Sequence, residues 1–569
     1  MTRCAFMFLS IMVLGATLSA CRTSESSVLE SSQVSPLKDE KANRIHESIV
    51  SQLKAKFPDT EDSVWFASTA KFDADWIVQS PSGYWGKLAQ ELPKNLACEK
   101  GGPGCDTQFL RHLCSVDTDC APYNTGCQAL LATVKRGGEK PRRMCLGSGD
   151  QLMNRFYRAM TSADYQLDIT SLTFTTGRFY QTLVNALAFL SHKSSVPNIR
   201  LLFSGKVPVT LNAFMLPTPV LTQLLHDIDA QGGDVKRLRI DLGWVSNHTQ
   251  PTWNHAKIIV ADQNTVLEGG HNPWDEDYLS DTPIFDLSME MSGPVGNGVS
   301  RYISQLWDKA DLLAIYDFRR DKEYPANDPH GLKHLLKFEH RNDLIRVSNL
   351  EAKTKGTVPV IGLGRLGYNA IQSNKSINAA DEGIRLLIRA AQNTLYFAQQ
   401  DIYKGAKIIP LVFPSFAMQD MYDAILRGVK ISIVKSDQDS VVGYGMVSPI
   451  KTYKALMTSF IQKAQNVGWI APNSQKIEDY MCEHLELLPW RFNDKESAWP
   501  GEGGKIGAHS KLIIADESAF YIGSQNLYPS NLEEFGVIVS DSLLTKNLMD
   551  EYWNPLFYGS AHDRLPCKI

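Results

Sequence analysis

The chain carries little net charge for its size: 58 Lys and Arg against 62 Asp and Glu leave −4 over 569 residues. That excludes the broad basic field with which nucleic-acid binders attract a polyanion, although a local patch can hide in such a balance. Long apolar runs are missing after the first twenty residues, so the body is expected to be soluble. Cysteine is sparse, with ten residues and no CxxC pair, which ranks zinc below disulfides as their use. What remains is the composition of a globular protein, 43% hydrophobic and 21% charged, in a chain too long for one ordinary core.

The first residues, MTRCAFMFLSIMVLGATLSAC, combine Arg3, a short apolar run and small residues before Cys21. This pattern predicts an export signal over residues 1–20. Leu18-Ser19-Ala20-Cys21 resembles the bacterial lipobox, which implies lipidation of Cys21 and an exported cell-envelope lipoprotein. Residues 21–45 are polar and Ser-rich and suit a flexible tether. Of the other cysteines, Cys98, Cys105, Cys114, Cys120, Cys127 and Cys145 crowd one stretch, while Cys482 and Cys567 stand apart. In an exported chain an even set reads as disulfides. Connectivity inside the cluster stays open, and Cys482 with Cys567 is the default last pair.

One pattern occurs twice. HAKIIVADQNTVLEGGHN starts at His255, and HSKLIIADESAFYIGSQN starts at His509. His255, Lys257, Asp262, Gly269, Gly270 and Asn272 match His509, Lys511, Asp516, Gly523, Ser524 and Asn526. The flanks repeat as well. YQLDITSLTF and TLYFAQQDIY read as strands, each followed by a helical pattern (from 180 and from 417) and another strand (NIRLLFSG, VKISIVKS). KIIVAD and KLIIAD read as short buried strands, and Gly428 as a helix stop. The order predicts an α/β fold of two similar lobes with largely parallel sheets and a shared site between them. The boundaries are a first lobe over 46–330, with a cysteine-rich insertion at about 98–145, and a second over 331–569.

Paired HxKxxxxD motifs with GG/GS-x-N tails resemble the phospholipase D superfamily. The runs TWNHAKIIVADQNTVLEGGHNPWDEDYL, VPVIGLGRLG, FAQQDIY and SVWFASTAKFDADWIVQSPSGYWG look like the secreted bacterial enzymes of the streptomycete type. The likeness runs from about residue 45 onward, with the lipobox and the cysteine cluster as departures. It implies a phosphodiesterase that cuts the headgroup phosphodiester of membrane glycerophospholipids to phosphatidic acid, through a phosphohistidine and with possible headgroup transfer.

The residue types fit that chemistry. Without a metal, a phosphodiester needs a nucleophile, a proton donor for the leaving alcohol and fixed positive charge on its oxygens. By resemblance His255 is the nucleophile and His509 the general acid and base. Lys257, Lys511, Asn272 and Asn526 supply donors to the phosphoryl oxygens. Carboxylates that orient the imidazoles are implied at Asp286 and Glu534, with Glu533 a rival for the second. Asp262 and Asp516 are expected to tie the lobes structurally. Trp274 and Tyr278 match aromatic positions of a headgroup pocket, with core packing as the alternative. His271, His248 and Trp253 are expected to pack or line the cleft. Val447 stands where close relatives carry Tyr, with Tyr444 nearby, and this puts choline preference in question.

No cofactor and no metal are expected, nor nucleic acid as a partner, and the chain is expected to be a monomer. The other readings are an exported nuclease of the same superfamily, a cardiolipin synthase-like transferase, and a non-catalytic surface protein.

Overall fold

In the computed structural model residues 39–567 are described, except 95–96, 136–137, 205–215, 246–252, 319–344, 346, 368–377, 403, 407–408, 413–414, 441–444, 501–503 and 529–531. The expected export signal, Cys21, most of the tether, His248, Tyr444 and nearly all of the expected lobe boundary lie outside the described residues. Among the described residues no helix is long and apolar enough to cross a membrane.

The two apolar runs of the repeated motif form strands with both faces covered, as their continuous apolar sequence requires. Along Ile258–Ala261, Ile258 and Val260 enter a core between two sheets, while Ile259 and Ala261 enter a core under helices. Along Lys511–Ala515, Leu512 and Ile514 enter the same inter-sheet core, while Ile513 and Ala515 face the helices of the second half. The architecture is therefore helices, sheet, sheet, helices, with the helix Val295–Trp307 also packed into the inter-sheet core.

Each sheet has eight strands. The first runs Ala310–Asp317, Arg239–Val245, Asn198–Ser204, Gln166–Thr170, Ile258–Ala261, Thr265–Gly269, Asp286–Ser292, Ile77–Ser80. The second runs Trp65–Ala70, Val358–Arg365, Glu534–Ser540, Ala519–Gly523, Lys511–Ala515, Thr394–Gln399, Lys430–Lys435, Leu485–Pro489. Six strands of each sheet correspond in order and direction, from Arg239–Val245 to Asp286–Ser292 in the first and from Leu485–Pro489 to Glu534–Ser540 in the second. The strand Trp65–Ala70 comes from the N-terminal side yet completes the second sheet, antiparallel to Val358–Arg365.

The expected strand–helix–strand units are present: Gln166–Thr170, Gly177–Ser191 and Asn198–Ser204 in one half, Thr394–Gln399, Ser415–Leu426 and Lys430–Lys435 in the other. Both strand pairs are parallel. The expectation of largely parallel sheets is corrected, however. Among the described residues each sheet has only two parallel ladders, the second being Asn198–Ser204 with Arg239–Val245 and Lys430–Lys435 with Leu485–Pro489. The motif strands instead join their neighbours antiparallel, because each motif folds into a tight hairpin. Gly428 ends its helix in the left-handed conformation, φ +89°.

Those hairpins explain the motif aspartates. Asp262 and Asp516 both occupy left-handed turn positions, φ 54° and 51°. Asp262 accepts the backbone N–H groups of Asp164, Tyr165 and Gln166, and Asp516 those of Gln392, Asn393 and Thr394. Each thus caps the start of the adjacent strand within its own sheet. Lys353 adds an ion pair to Asp262 at 2.7 Å. Asp516→Ala removes an acceptor for three N–H groups, and about 3 kcal/mol of stability is the expected cost. A drop of a few degrees in thermal midpoint, with turnover of the folded fraction kept within about twofold, is the expected measurement.

The clustered cysteines pair as Cys98–Cys105, Cys114–Cys127 and Cys120–Cys145, and Cys482 pairs with Cys567. The cluster is thus cross-linked by three disulfides. It is anchored by fully buried Arg111, whose guanidinium grips Asp150 at the start of the helix Asp150–Thr161 (2.5 and 2.9 Å).

Candidate active site

The repeated histidines sit where the two sheets meet, each just ahead of its motif strand. His255 N–H donates to Glu533 O (2.8 Å), and His509 N–H donates to Phe285 O (2.7 Å). Each motif is thus stitched by backbone to the other half of the chain. The rings lie 6.2 Å apart, centroid to centroid, at 80°. The two rings are thus close enough to act on one group held between them.

The side chains cross the interface in the same way. His255 Nδ1 lies 2.9 Å from Glu534 Oε2, and His509 Nδ1 lies 2.8 Å from Asp286 Oδ2. An ionised carboxylate only accepts, so each Nδ1 carries the proton and each Nε2 presents a lone pair. The rival is also placed: Glu533 is buried and pairs with Lys309 at 3.3 Å.

The motif glycines make room for these carboxylates. A Cβ at Gly270 would strike the Asp286 carboxylate, and one at Gly269 would strike the backbone of Ser288. At the position matching Gly270, Ser524 donates its hydroxyl to Glu534 Oε2 at 2.6 Å. A Cβ at Gly523 would strike Gly536. Asp286 receives its hydroxyl from Tyr278, at 2.7 Å. Tyr278, expected beside a headgroup, is fully buried and holds the carboxylate partner of His509 instead. Sequence reasoning missed this because an aromatic near a motif carries no sign of where its hydroxyl points. Trp274 is half-buried, with its indole N–H on Thr173 Oγ1 at 2.7 Å.

Lys257 Nζ donates to His255 O at 2.7 Å. Lys511 Nζ donates to His509 O and reaches Gln400 Oε1 at 3.3 Å. Asn272 and Asn526 are both buried, and Asn526 donates to Tyr528 at 2.8 Å. His271 is buried against Ser288 Oγ (2.7 Å), and Trp253 accepts the Glu533 N–H through its carbonyl.

Burial sets the electrostatics. Desolvation and the Lys257 charge push His255 down to about 4, against the pull of Glu534. His509 lies well below its ordinary value through burial and Lys511, against the pull of Asp286. Burial also pushes Lys257 down to about 8 and Lys511 well below the usual lysine range. Burial works to raise both acids, yet the facing histidines and nearby cations hold Asp286 and Glu534 below their ordinary values. Near neutral pH the free site thus pairs neutral imidazoles with ionised carboxylates.

This arrangement has a sign for pH. An oxyanion between the rings stabilises imidazolium, so its binding raises a lowered histidine pKa and takes up protons. Calorimetry with inorganic tungstate at pH 7, in buffers of different ionisation enthalpy, is expected to register uptake of about one proton. Affinity should fall as pH rises, and more steeply above about 8, where Lys257 loses its charge. Proton release on binding, or an affinity flat from pH 6 to 9, would contradict this charge assignment.

No family model matches the chain. It is 27% identical over 444 residues to the phospholipase D of Streptomyces antibioticus, covering 71% of this chain and 76% of that protein. Among solved structures it is similar to a phosphatidylserine synthase of Haemophilus influenzae Rd KW20, at 14% identity and a TM-score of 0.45, over 72% of this chain and 84% of that one. It is also similar to Nuc of Salmonella typhimurium, described as a phospholipase D family member, at 14% identity and a TM-score of 0.20, over 36% of this chain and 97% of that one. The streptomycete relative bears out the resemblance to the phospholipase D superfamily that the paired motifs carry, and the likeness supports a phosphodiesterase of that kind.

Proposed function

We propose that this chain, with the paired motifs and the likeness to streptomycete phospholipase D just described, hydrolyses the headgroup phosphodiester of glycerophospholipids to phosphatidic acid. The observation that carries the reading is the crossed pairing of His255 with Glu534 and His509 with Asp286, which aims two imidazoles at one gap.

In this mechanism Nε2 of His255 attacks phosphorus, with Glu534 stabilising the positive charge that grows on the ring. His509, protonated as the anionic diester binds, gives its proton to the leaving headgroup oxygen. It then takes a proton from water, or from an alcohol, which attacks the phosphohistidine and releases His255. Lys257, Lys511, Asn272 and Asn526 hold the phosphoryl oxygens. Both halves of the site come from one chain, which supports action as a monomer. The N-terminal pattern that reads as an export signal, with Cys21 in a lipobox-like context, supports a lipid-anchored enzyme of the cell envelope.

The test uses protein from Arg22 onward, with its disulfides formed, on mixed phospholipid vesicles with EDTA and ethanol. Phosphatidic acid together with phosphatidylethanol is the expected product pair, from wild type and not from His255→Ala. Absence of lipid products alongside EDTA-resistant cleavage of DNA would replace this reading with that of a nuclease.

A further inference from the structure

Beneath the helices Asp150–Thr161 and Gly177–Ser191, on the outer face of the first sheet, lies a cavity of about 50 Å³ that the proposed reaction does not use. The helices roof it with Phe156, Met160, Phe179 and Leu183, and the strands floor it with Ile169 and Leu267. Where the strands run out toward the motif, the wall turns polar, with Ser171, His271, Ser288 and Lys257. The threonine hydroxyls in the wall are already engaged. Thr175 donates to Pro273 O, Thr182 donates to Arg178 O, and Thr170 accepts from Asn254.

Two buried polar atoms of this wall have no hydrogen-bond partner among the described residues, His271 Nε2 and Ser171 Oγ. His271 Nδ1 is taken by Ser288 Oγ at 2.7 Å, so Nε2 is a donor in one tautomer and an acceptor in the other. Leaving such an atom unpaired in the interior is costly. Burial holds His271 down to about 4, so near neutral pH the ring offers a hydrogen bond and no charge.

The small side chains that open this room are particular to the first half. Leu167 pairs with Ala261, Leu395 pairs with Ala515, and the two motifs align, so Ile169, Ser171 and Leu267 answer Phe397, Gln399 and Tyr521. All three counterparts are larger and fully buried. Gln399 donates to Leu512 O at 3.0 Å, and a Cβ at Gly523 or Gly536 would strike the Tyr521 hydroxyl. The duplicated fold therefore packs without such a cavity when its residues are large, and the first half departs from that.

Volume and chemistry together select the occupant. About 10–15 Å³ of such space holds one water-sized group, so about four fit. Waters in that number need more hydrogen bonds than two free side-chain atoms supply, and apolar cavities take up apolar molecules instead. We propose that the cavity is a binding site for a short neutral alkanol of about four non-hydrogen atoms, with its hydroxyl on His271 Nε2 and its carbons among Phe156, Met160, Phe179 and Leu183. A hydroxyl donates and accepts, so it suits either tautomer of His271. Lys257 both walls the cavity and donates to His255 O, so the occupant braces the stem of a motif lysine.

The test needs no turnover and so stands whatever phosphodiester the cleft takes. It uses protein from Arg22 onward, with its disulfides formed, and two probes, n-propanol and xenon, each followed by NMR. Wild type is expected to bind one n-propanol with a Kd of about 1 mM, within reach of so few atoms, and n-propanol should displace xenon. Ile169→Phe, which borrows the second-half residue, is expected to weaken both probes at least tenfold. His271→Leu should weaken n-propanol at least tenfold and leave xenon within twofold, which also shows that the cavity survives the substitution.

Absence of n-propanol binding by wild type would overturn the proposal and leave the cavity to water. Binding that persists in Ile169→Phe would place the alcohol elsewhere, the catalytic cleft included, and would overturn it too. Equal affinity of wild type and His271→Leu for n-propanol would remove the polar anchor on which the choice of an alkanol rests.

Discussion

His255→Ala is expected to lose about 10⁵- to 10⁶-fold in phosphodiester cleavage, the scale on which enzymes lose a covalent nucleophile. His509→Ala is expected to lose less, about 10²- to 10⁴-fold on a lipid, because proton donation to an alkoxide is what it supplies. The two should separate on a substrate whose leaving group needs no proton. With a 4-nitrophenyl phosphodiester the His509→Ala deficit in the first step should nearly vanish, while that of His255→Ala should not. His509→Ala should then stall after the first step, since no base activates water. Rapid quench and mass spectrometry are expected to find the phosphoryl group on His255. A label on His509 would reverse the assignment. Activity of His255→Ala on the nitrophenyl substrate would remove the covalent mechanism altogether.

Glu534→Gln is expected to cost about 10³- to 10⁴-fold, the scale seen when an imidazole loses its orienting carboxylate. Glu534 Oε2 takes two hydrogen bonds, from His255 Nδ1 and from Ser524 Oγ. An amide there either donates to Nδ1, forcing the proton to Nε2 and removing the attacking lone pair, or accepts without a charge to balance the imidazolium. Because the pairs cross between the halves, this second-half substitution should block phosphohistidine formation at the first-half histidine. Asp286→Asn should act on the other step. With a 4-nitrophenyl diester it should still allow the intermediate to form, then slow its breakdown. Double variants test the crossing directly. Glu534→Gln adds little to His255→Ala but should multiply the effect of Asp286→Asn, because residues of one unit are not additive and separate units are. Equal coupling of Glu534 to both histidines would deny the crossed arrangement any mechanistic meaning.

Much of the site was legible before any fold was known. Repetition identified His255, Lys257 and Asn272 with His509, Lys511 and Asn526, because the motif spacing is set by one hairpin that both halves form. The strands came through for a related reason: four or five apolar residues in a row leave no face for water. Direction did not come through. The parallel ladders were anticipated from the strand–helix–strand order, but antiparallel pairing of the motif strands depends on the turns at Asp262 and Asp516. That those aspartates cap strand starts was missed for the same reason, since a carboxylate that accepts three backbone N–H groups looks in sequence like any other acid; the tie to the other half shows only at Asp262, through Lys353.

By itself, then, the sequence determined which residues are the candidates for the chemistry and that they come in two matched sets. Spacing along a chain encodes local geometry, and a hairpin is local. The tertiary structure decided everything that crosses between the sets. It assigned Glu534 to His255 and Asp286 to His509, chose Glu534 over Glu533, and turned Tyr278 from the expected pocket to the carboxylate. These contacts join residues as many as 279 positions apart. No period or spacing records them, because they exist only once two sheets close on a common core.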